Sequence, residues 1–426
     1  MWRQDEEPDH DPVEAEPAVL PELVEESAAR HGARPAQRYK GGIYDRSLSG
    51  VAFDEPPDGE FATLTYEQLR TIVRRLAVGL RSLGLDPGQR VGLFAETRAE
   101  WAQCDLGTLA AGGVVVPIAP NLPTDRVRRR LTAVDGAGVV VENERLALRL
   151  LELIDELDLR FILSMDELPS MYDDRDGIYT LADVFEHGER YYRDDIYESW
   201  LGDHDPGSPA SIVYSAGATD RPSRASLTHR NVLANVEQVL DRYGPQSDGE
   251  GPVIDEQTRT VSVLPLAYEF ERVVGQFVPL AAGGCIGYAD GPETLVEDCQ
   301  ALEPTMLTGV PALYERLYDD LRAHAADGSI GRRLFEWAAN VGIRFERHGR
   351  PGVGLLTRRA LADQLVFSEN RAHLGGTLEL LFSSGGTFST ELSALFHAMG
   401  LPIDQCYGLA EATSVEIGRA SCRERV

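Results

Sequence analysis

Four short stretches in the second half of the chain hold the residues whose types and spacing suit chemistry. The first is Tyr214-Ser215-Ala216-Gly217-Ala218-Thr219-Asp220-Arg221-Pro222-Ser223-Arg224, which follows a strand-like stretch and precedes a plausible helix start at Leu227-Thr228-His229-Arg230-Asn231. Small and hydroxyl residues after a strand let backbone N–H groups turn inward onto phosphate oxygens, and Ser and Thr hydroxyls add donors. Then come Leu264-Pro265-Leu266-Ala267-Tyr268-Glu269-Phe270-Glu271-Arg272, Leu381-Phe382-Ser383-Ser384-Gly385-Gly386-Thr387 and Tyr407-Gly408-Leu409-Ala410-Glu411. Taken singly, the first lacks Walker spacing and reads as a surface loop, Ser384-Gly385-Gly386 as a strand end, Tyr407-Gly408 as a turn and Tyr268 as core. Their order along one chain is what carries information.

The elements around them predict an α/β protein. Thr65 and Gln68 form a capping box, Leu69, Ile72, Leu76, Leu80 and Leu83 recur at helical spacing, and Gly84 supplies the stop. A strand over Arg90 to Phe94, a helix over Glu100 to Ala111 and a β-branched strand over Gly113 to Ile118 make a β-α-β unit with parallel strands. A helix over Ala147 to Leu157 and a strand over Arg160 to Leu163 repeat the pattern, and a polar connection from Met165 to Pro206 is expected to pack through Tyr191, Tyr192 and Trp200. Further strands are expected at Ser211 to Ser215, Thr260 to Leu264, Cys285 to Tyr288, Thr305 to Gly309 and Leu378 to Ser383. The expected organisation is a flexible acidic N-terminus over 1–18, a first α/β subdomain over 19–205 and a second, motif-bearing one over 206–415. Glu416 to Val426 departs from this pattern and resembles read-through of a sequencing adapter, so the natural chain is expected to continue differently.

The ordered set resembles the adenylate-forming synthetases, whose loop reads roughly T-S-G-T-T-G-x-P-K-G and whose later motifs read P-L-x-H-x-F-E, S-G-G and Y-G-x-T-E. The resemblance runs from Arg34-Pro35-Ala36-Gln37-Arg38-Tyr39-Lys40 to Glu411, and the L-P-L-x-x-x-F-E-R form is most similar to the long-chain fatty acid branch. It implies the family's large domain: two helix-flanked β-sheets and a smaller distorted barrel. It further implies that a fatty carboxylate attacks the α-phosphate of Mg-ATP, that pyrophosphate leaves, and that coenzyme A takes the acyl group. Ser215, Gly217, Thr219 and the position of Ser223 would then cradle the phosphates. Gly385, Gly386 and Thr387 would flank adenine, with Tyr407 and Gly408 beside it. Glu411 would hold Mg²⁺, and Tyr268 stands where the family has a His at the acyl pocket.

The pattern also breaks. By resemblance the loop lysine falls on Ser223, its neighbouring glycine on Arg224, another loop glycine on Asp220, and the threonine of Y-G-x-T-E on Ala410. Losing a charged donor at about 1.5–3 kcal/mol and a neutral one at about 0.5–1.5 kcal/mol weakens the phosphate grip, although Arg221 or Arg224 offers a bulkier cation. The family's ribose-binding Asp, hinge and small C-terminal domain with its adenylation lysine are not found in this sequence. Lys40, in a different motif, cannot replace that lysine. The expectation is an impaired ligase, or alternatively a pseudo-synthetase that binds acyl chain or nucleotide without turnover.

Composition narrows the partners. With 41 basic against 69 acidic residues the net charge is −28, which repels phosphate backbones and excludes nucleic acid as the expected partner. Lys40 is the single lysine, and acidity with almost no lysine points to a salt-adapted protein, while an N-terminus (Met1 to Glu16) that is acidic where a signal peptide would be basic leads to the expectation of a cytoplasmic one. No apolar run reaches spanning length, while a peripheral membrane contact is compatible with a fatty substrate. The five cysteines show no C-x-x-C pair and the nine histidines no metal-ligand spacing.

Overall fold

Aliphatic strands alternating with amphipathic helices fold as parallel sheets, because each helix covers a sheet face while returning the chain to begin the next strand. The computed structural model describes residues 17–172, 175–214, 223–245, 251–325, 328–347, 352–409, 413 and 416–418. Its first strands are β1 (Pro35–Lys40), β2 (Phe61–Thr65), β3 (Arg90–Phe94), β4 (Val114–Ile118), β5 (Gly136–Val141), β6 (Phe161–Ser164), β7 (Ile178–Thr180) and β8 (Pro209–Tyr214). There follow β9 (Arg224–Thr228), β10 (Arg259–Ser262), β11 (Cys285–Tyr288), β12 (Met306–Gly309), β13 (Leu380–Ser383), β14 (Ile403–Tyr407) and β15 (Glu416–Gly418).

These strands form two sheets, ordered β7-β6-β5-β3-β4-β8-β9 and β15-β14-β13-β12-β10-β11-β1-β2. Parallel pairing dominates, and the antiparallel pairs β8/β9, β1/β2 and β14/β15 lie at the edges. Each sheet takes a hairpin from across the expected division at 205/206. β1 and β2 join the sheet built by later strands, and β8 and β9 join the sheet built by earlier ones. The two-sheet α/β architecture agrees with expectation, but among the described residues no third sheet closes into a barrel.

Local signals account for most of the expected elements. The Thr65 capping box is reciprocal, Gln68 N–H donating to Thr65 Oγ1 at 3.3 Å and Thr65 N–H to Gln68 Oε1 at 2.9 Å. The helix Tyr66–Ser82 ends where Gly84 takes a φ of +90°. The helix expected over Ala147 to Leu157 runs instead over Glu144–Leu151, because the Asn143 side chain caps it by accepting from Leu146 N–H at 3.2 Å. The chain then tightens into a 3₁₀ turn at Ile154–Glu156.

The stretch from 165 to 206 is more regular than its polarity suggests, with helices at Leu181–Tyr191 and Asp194–Gly202. Tyr197 is its buried anchor, whereas Tyr191 is 57% exposed. Tyr192 lies under Arg75, 3.8 Å from guanidinium carbon to ring centre, and Trp200 lies under Arg81 at 4.6 Å.

A fully buried polar cluster joins the sheets. Arg272 sits in a π-helical turn, Glu271–Phe277, and its guanidinium grips both Asp105 oxygens, at 2.6 and 2.9 Å. A third donor reaches Ser211 Oγ on β8 at 2.8 Å, and Glu269 Oε1 lies 3.4 Å away. Asp105 belongs to the helix Ala99–Ala110, so one arginine ties that helix and β8 to the segment after β10. Removing one partner strands a buried charge. Arg272→Leu is therefore expected to lower stability by about 3–5 kcal/mol. Combining it with Asp105→Leu should recover much of that loss in denaturant unfolding, and an unperturbed single variant would refute the role given to the cluster.

Candidate functional site

Neighbouring parallel strands present their C-terminal ends at one sheet edge, where open α/β sheets build ligand sites. Here β14, β13, β12 and β10 are neighbours in parallel register. The chain leaves β10 into Leu264–Arg272, β12 into Val310-Pro311, β13 into Ser384–Thr387 and β14 at Tyr407-Gly408. Three of the four sequence motifs therefore share one edge.

Two of them touch. Tyr268 OH donates to Ser384 Oγ at 3.2 Å. A Cβ added at Gly385 would lie 3.0 Å from the same phenol oxygen and 3.6 Å from Val310 Cγ1, and Gly385 itself has a φ of +83°. Both the backbone conformation and the near approach of Tyr268 require glycine at this position. Gly386 packs beside Pro311, and Gly385, Gly386 and Thr387 are exposed above a buried Ser383-Ser384 pair. Tyr407 stands on the adjacent strand end with its ring 70% exposed, and Gly408 follows it half-buried.

Of the Tyr214–Arg224 motif, the described residues at its two ends are held by the strands. Tyr214, the last residue of β8, pairs across the ladder with Arg224, the first of β9. Tyr214 OH donates to the Arg130 carbonyl at 3.2 Å, with the Arg130 guanidinium 4.6 Å from the centre of its ring. Ser223 is exposed at the foot of β9. Arg224 directs one guanidinium donor to the Ala133 carbonyl at 2.7 Å. Ser215, Gly217, Thr219, Asp220, Arg221, Ala410 and Glu411 lie outside the described residues.

Two positioning residues escaped sequence reasoning. Thr97, just after β3, donates its hydroxyl to the Leu264 carbonyl at 2.8 Å and accepts from Leu266 N–H at 2.7 Å, pinning the turn that leads to Tyr268. Glu271 is buried beneath the same segment, accepting from Ser262 Oγ at 2.6 Å and Thr308 Oγ1 at 2.5 Å. It thereby links β10 and β12 just below the site. A lone threonine after a strand has no distinguishing spacing, while Glu271 stood in plain view inside a motif.

Burial pushes the Glu271 carboxyl up from 4.5 to about 7, against the lowering effect of the two hydroxyl donors. The folded chain therefore binds this proton where the unfolded chain has released it, so the contribution to stability is largest below pH 4.5 and is lost as pH rises through about 7. Among the described residues no group of three or more His, Cys, Asp or Glu side chains is placed to hold a metal ion. No described helix is long and apolar enough to cross a membrane.

Residues 24–424 match the family described as AMP-binding enzyme. The long-chain-fatty-acid–CoA ligase ACSBG2 of Mus musculus is 26% identical over 418 residues, 95% of this chain and 58% of that protein. The chain thus spans less than two thirds of that relative's length. A solved long-chain-fatty-acid–CoA ligase, FadD1 of Archaeoglobus fulgidus, superposes with a TM-score of 0.67 at 14% identity, covering 94% of this chain and 66% of that one. The A domain of the carboxylic acid reductase of Segniliparus rugosus, solved with AMP and a co-purified carboxylic acid, gives 0.69 at 18% identity, covering 95% and 62%. These likenesses concern the fold.

The Glu271 carboxyl yields a direct test of this geometry. Unfolding free energies of the unmodified chain and of Glu271→Gln should differ in a pH-dependent way, the unmodified chain losing relative stability from pH 4.5 to about 7 and no more above it. A difference that is flat across this range would contradict the buried, proton-binding carboxyl.

Proposed function

The chain belongs to the AMP-binding enzyme family, and on that premise we propose that its site serves ATP-dependent activation of a long-chain fatty acid and transfer of the acyl group to coenzyme A. The observation that supports this most is the meeting of Tyr268 with Ser384-Gly385 at the C-terminal sheet edge, which puts the proposed acyl-pocket residue against the proposed nucleotide shelf. In the proposed reaction a carboxylate oxygen bonds to the α-phosphorus as the bond to pyrophosphate breaks. The thiol of coenzyme A then replaces AMP at the acyl carbon. No protein nucleophile is needed, so the side chains act by position and charge.

Gly385, Gly386 and Thr387 are assigned to adenine, whose plane needs backbone without side chains beside it, and Tyr407 and Gly408 to the neighbouring face. Ser215, Gly217, Thr219 and Ser223 are assigned to the phosphates, and Glu411 to the Mg²⁺ that accompanies them. Tyr268 takes the acyl-pocket position, its phenol oriented by Ser384. The relatives that act on long-chain fatty acids favour that substrate class. We place the reaction in a salt-adapted cytoplasm, with peripheral membrane contact giving access to a lipid-soluble substrate.

A second reading, a synthetase-like binder without turnover, draws on the loop ends. An exposed hydroxyl, Ser223, stands where the resemblance places the cationic donor, and Arg224 already directs a donor to the Ala133 carbonyl. Both readings keep the adenine shelf and weaken the phosphate grip. Calorimetry in molar KCl should find AMP and ATP binding within about threefold of each other, a difference of roughly 0.7 kcal/mol. Gly385→Val, which forces a branched side chain into a positive-φ site beside Tyr268, should abolish both. A strong preference for Mg-ATP would show the phosphate grip intact, and failure of AMP to bind at millimolar concentration would defeat the nucleotide assignment. Pyrophosphate release with a long-chain fatty acid then separates ligase from binder.

A further inference from the structure

A second cleft opens at the opposite edge of the eight-stranded sheet. It has a volume of about 260 Å³ and is lined by Arg34, Arg38, Thr63, Glu256, Arg259 and Cys285 among others. Arg259 begins β10 and Cys285 begins β11, so the cleft lies at the N-terminal ends of these strands, away from the loops that carry Tyr268 and Ser384.

Its three arginines gather in one place, whereas other half-buried arginines without a carboxylate partner among the described residues, such as Arg81, Arg130 and Arg149, stand singly. Acidic residues outnumber basic ones by 69 to 41, and arginines elsewhere, such as Arg46, Arg74, Arg98 and Arg272, pair with carboxylates. Arg34, Arg38 and Arg259 form no ion pair among the described residues, although all are half-buried. Arg34 reaches the Glu256 backbone carbonyl, Arg259 Nε donates to the Glu303 carbonyl at 2.7 Å, and Arg38 lies over the Phe61 ring at 5.9 Å. The Nε atoms of Arg34 and Arg38 are inaccessible and lack a hydrogen-bond acceptor. Burial pushes the Cys285 thiol up to about 11, with Arg38 and Arg259 pulling the other way, so both cations act on the cleft floor.

Three positive charges against the Glu256 carboxylate leave the cleft about two charges positive. Guanidinium forks match the geometry of phosphate oxygens, and a phosphate dianion would balance the charge and accept from the terminal guanidinium nitrogens that line the cleft. We infer that this cleft is a binding site for a phosphate dianion, either free or carried as a phosphate monoester, separate from the nucleotide edge. Because the two sites occupy opposite strand ends, phosphate here does not compete with AMP.

The test is titration of the chain with inorganic phosphate at constant ionic strength set by KCl, with glycerol 3-phosphate as a second arm. Phosphate should bind saturably. Arg38→Gln combined with Arg259→Gln should weaken it at least tenfold, and Glu256→Gln should tighten it severalfold by removing the opposing charge. Saturating AMP should leave the phosphate affinity unchanged, which separates this site from the proposed nucleotide shelf whatever the fate of that proposal. Tighter binding of glycerol 3-phosphate identifies a monoester as the ligand, and tighter inorganic phosphate identifies the free ion. Equal phosphate binding by the double variant, no change with Glu256→Gln, or displacement by AMP would each overturn the inference. Should the double variant fail to fold, the Glu256→Gln arm still decides.

Discussion

The constraint on which the architecture rests is the full burial of the Arg272 guanidinium between the two sheets. An arginine removed from water must have its donors satisfied in fixed directions, and here the acceptors are Asp105 and Ser211, with Glu269 nearby. Asp105 rides on the helix between β3 and β4, and Ser211 lies in β8 and donates in turn to the Val115 carbonyl of β4. The geometry of one side chain therefore fixes the sheet of residues 90–228 against the segment that leaves β10. Thr97 adds a second tie a few residues away, between the end of β3 and the turn at Leu264 to Leu266.

That segment divides its labour by residue. Glu271 and Arg272 are buried and bond to the helix and strands around them, Glu269 is buried beside Arg272, and Tyr268 is half-buried and reaches Ser384 at the sheet edge. A motif readable as a string of chemical groups is thus mostly a scaffold that positions one phenol. The same mixture occurs at Ser383-Ser384-Gly385-Gly386, where the serines end the strand in the interior and the glycines form the exposed surface.

Much of this was legible in sequence because it depends on local chemistry. The capping box at Thr65, the helix start at Thr228, the stop at Gly84 and the β-branched strand before Ala119 are dictated by neighbours within a few residues. The meeting of Tyr268 with Gly385 was signalled only by motif order, since more than a hundred residues separate them and no periodicity spans that distance. The helices between 181 and 202 were hidden by polar composition, and their anchor proved to be Tyr197 and not Tyr191 because only the former faces the helix Tyr66–Ser82. Thr97 and the unpaired arginines at the second cleft had no sequence signature at all. An arginine looks the same whether a carboxylate awaits it or not.

The exchange of hairpins between the sheets bears on how the chain assembles as it is made. β1 pairs with β11 through Gln37↔Ile286 and Arg38↔Gly287, strands separated by nearly 250 residues. At a synthesis rate of about 5–20 residues per second, β1 leaves the ribosome roughly 12–50 s before its parallel partner exists. During that interval its only ladder neighbour is β2, and a two-stranded hairpin alone is marginally stable in water. The sheet of residues 90–228 can close earlier, once β9 has emerged. The fold thus has a vectorial order, in which an early hairpin must remain unpaired on one side, without aggregating, until the second sheet arrives to receive it.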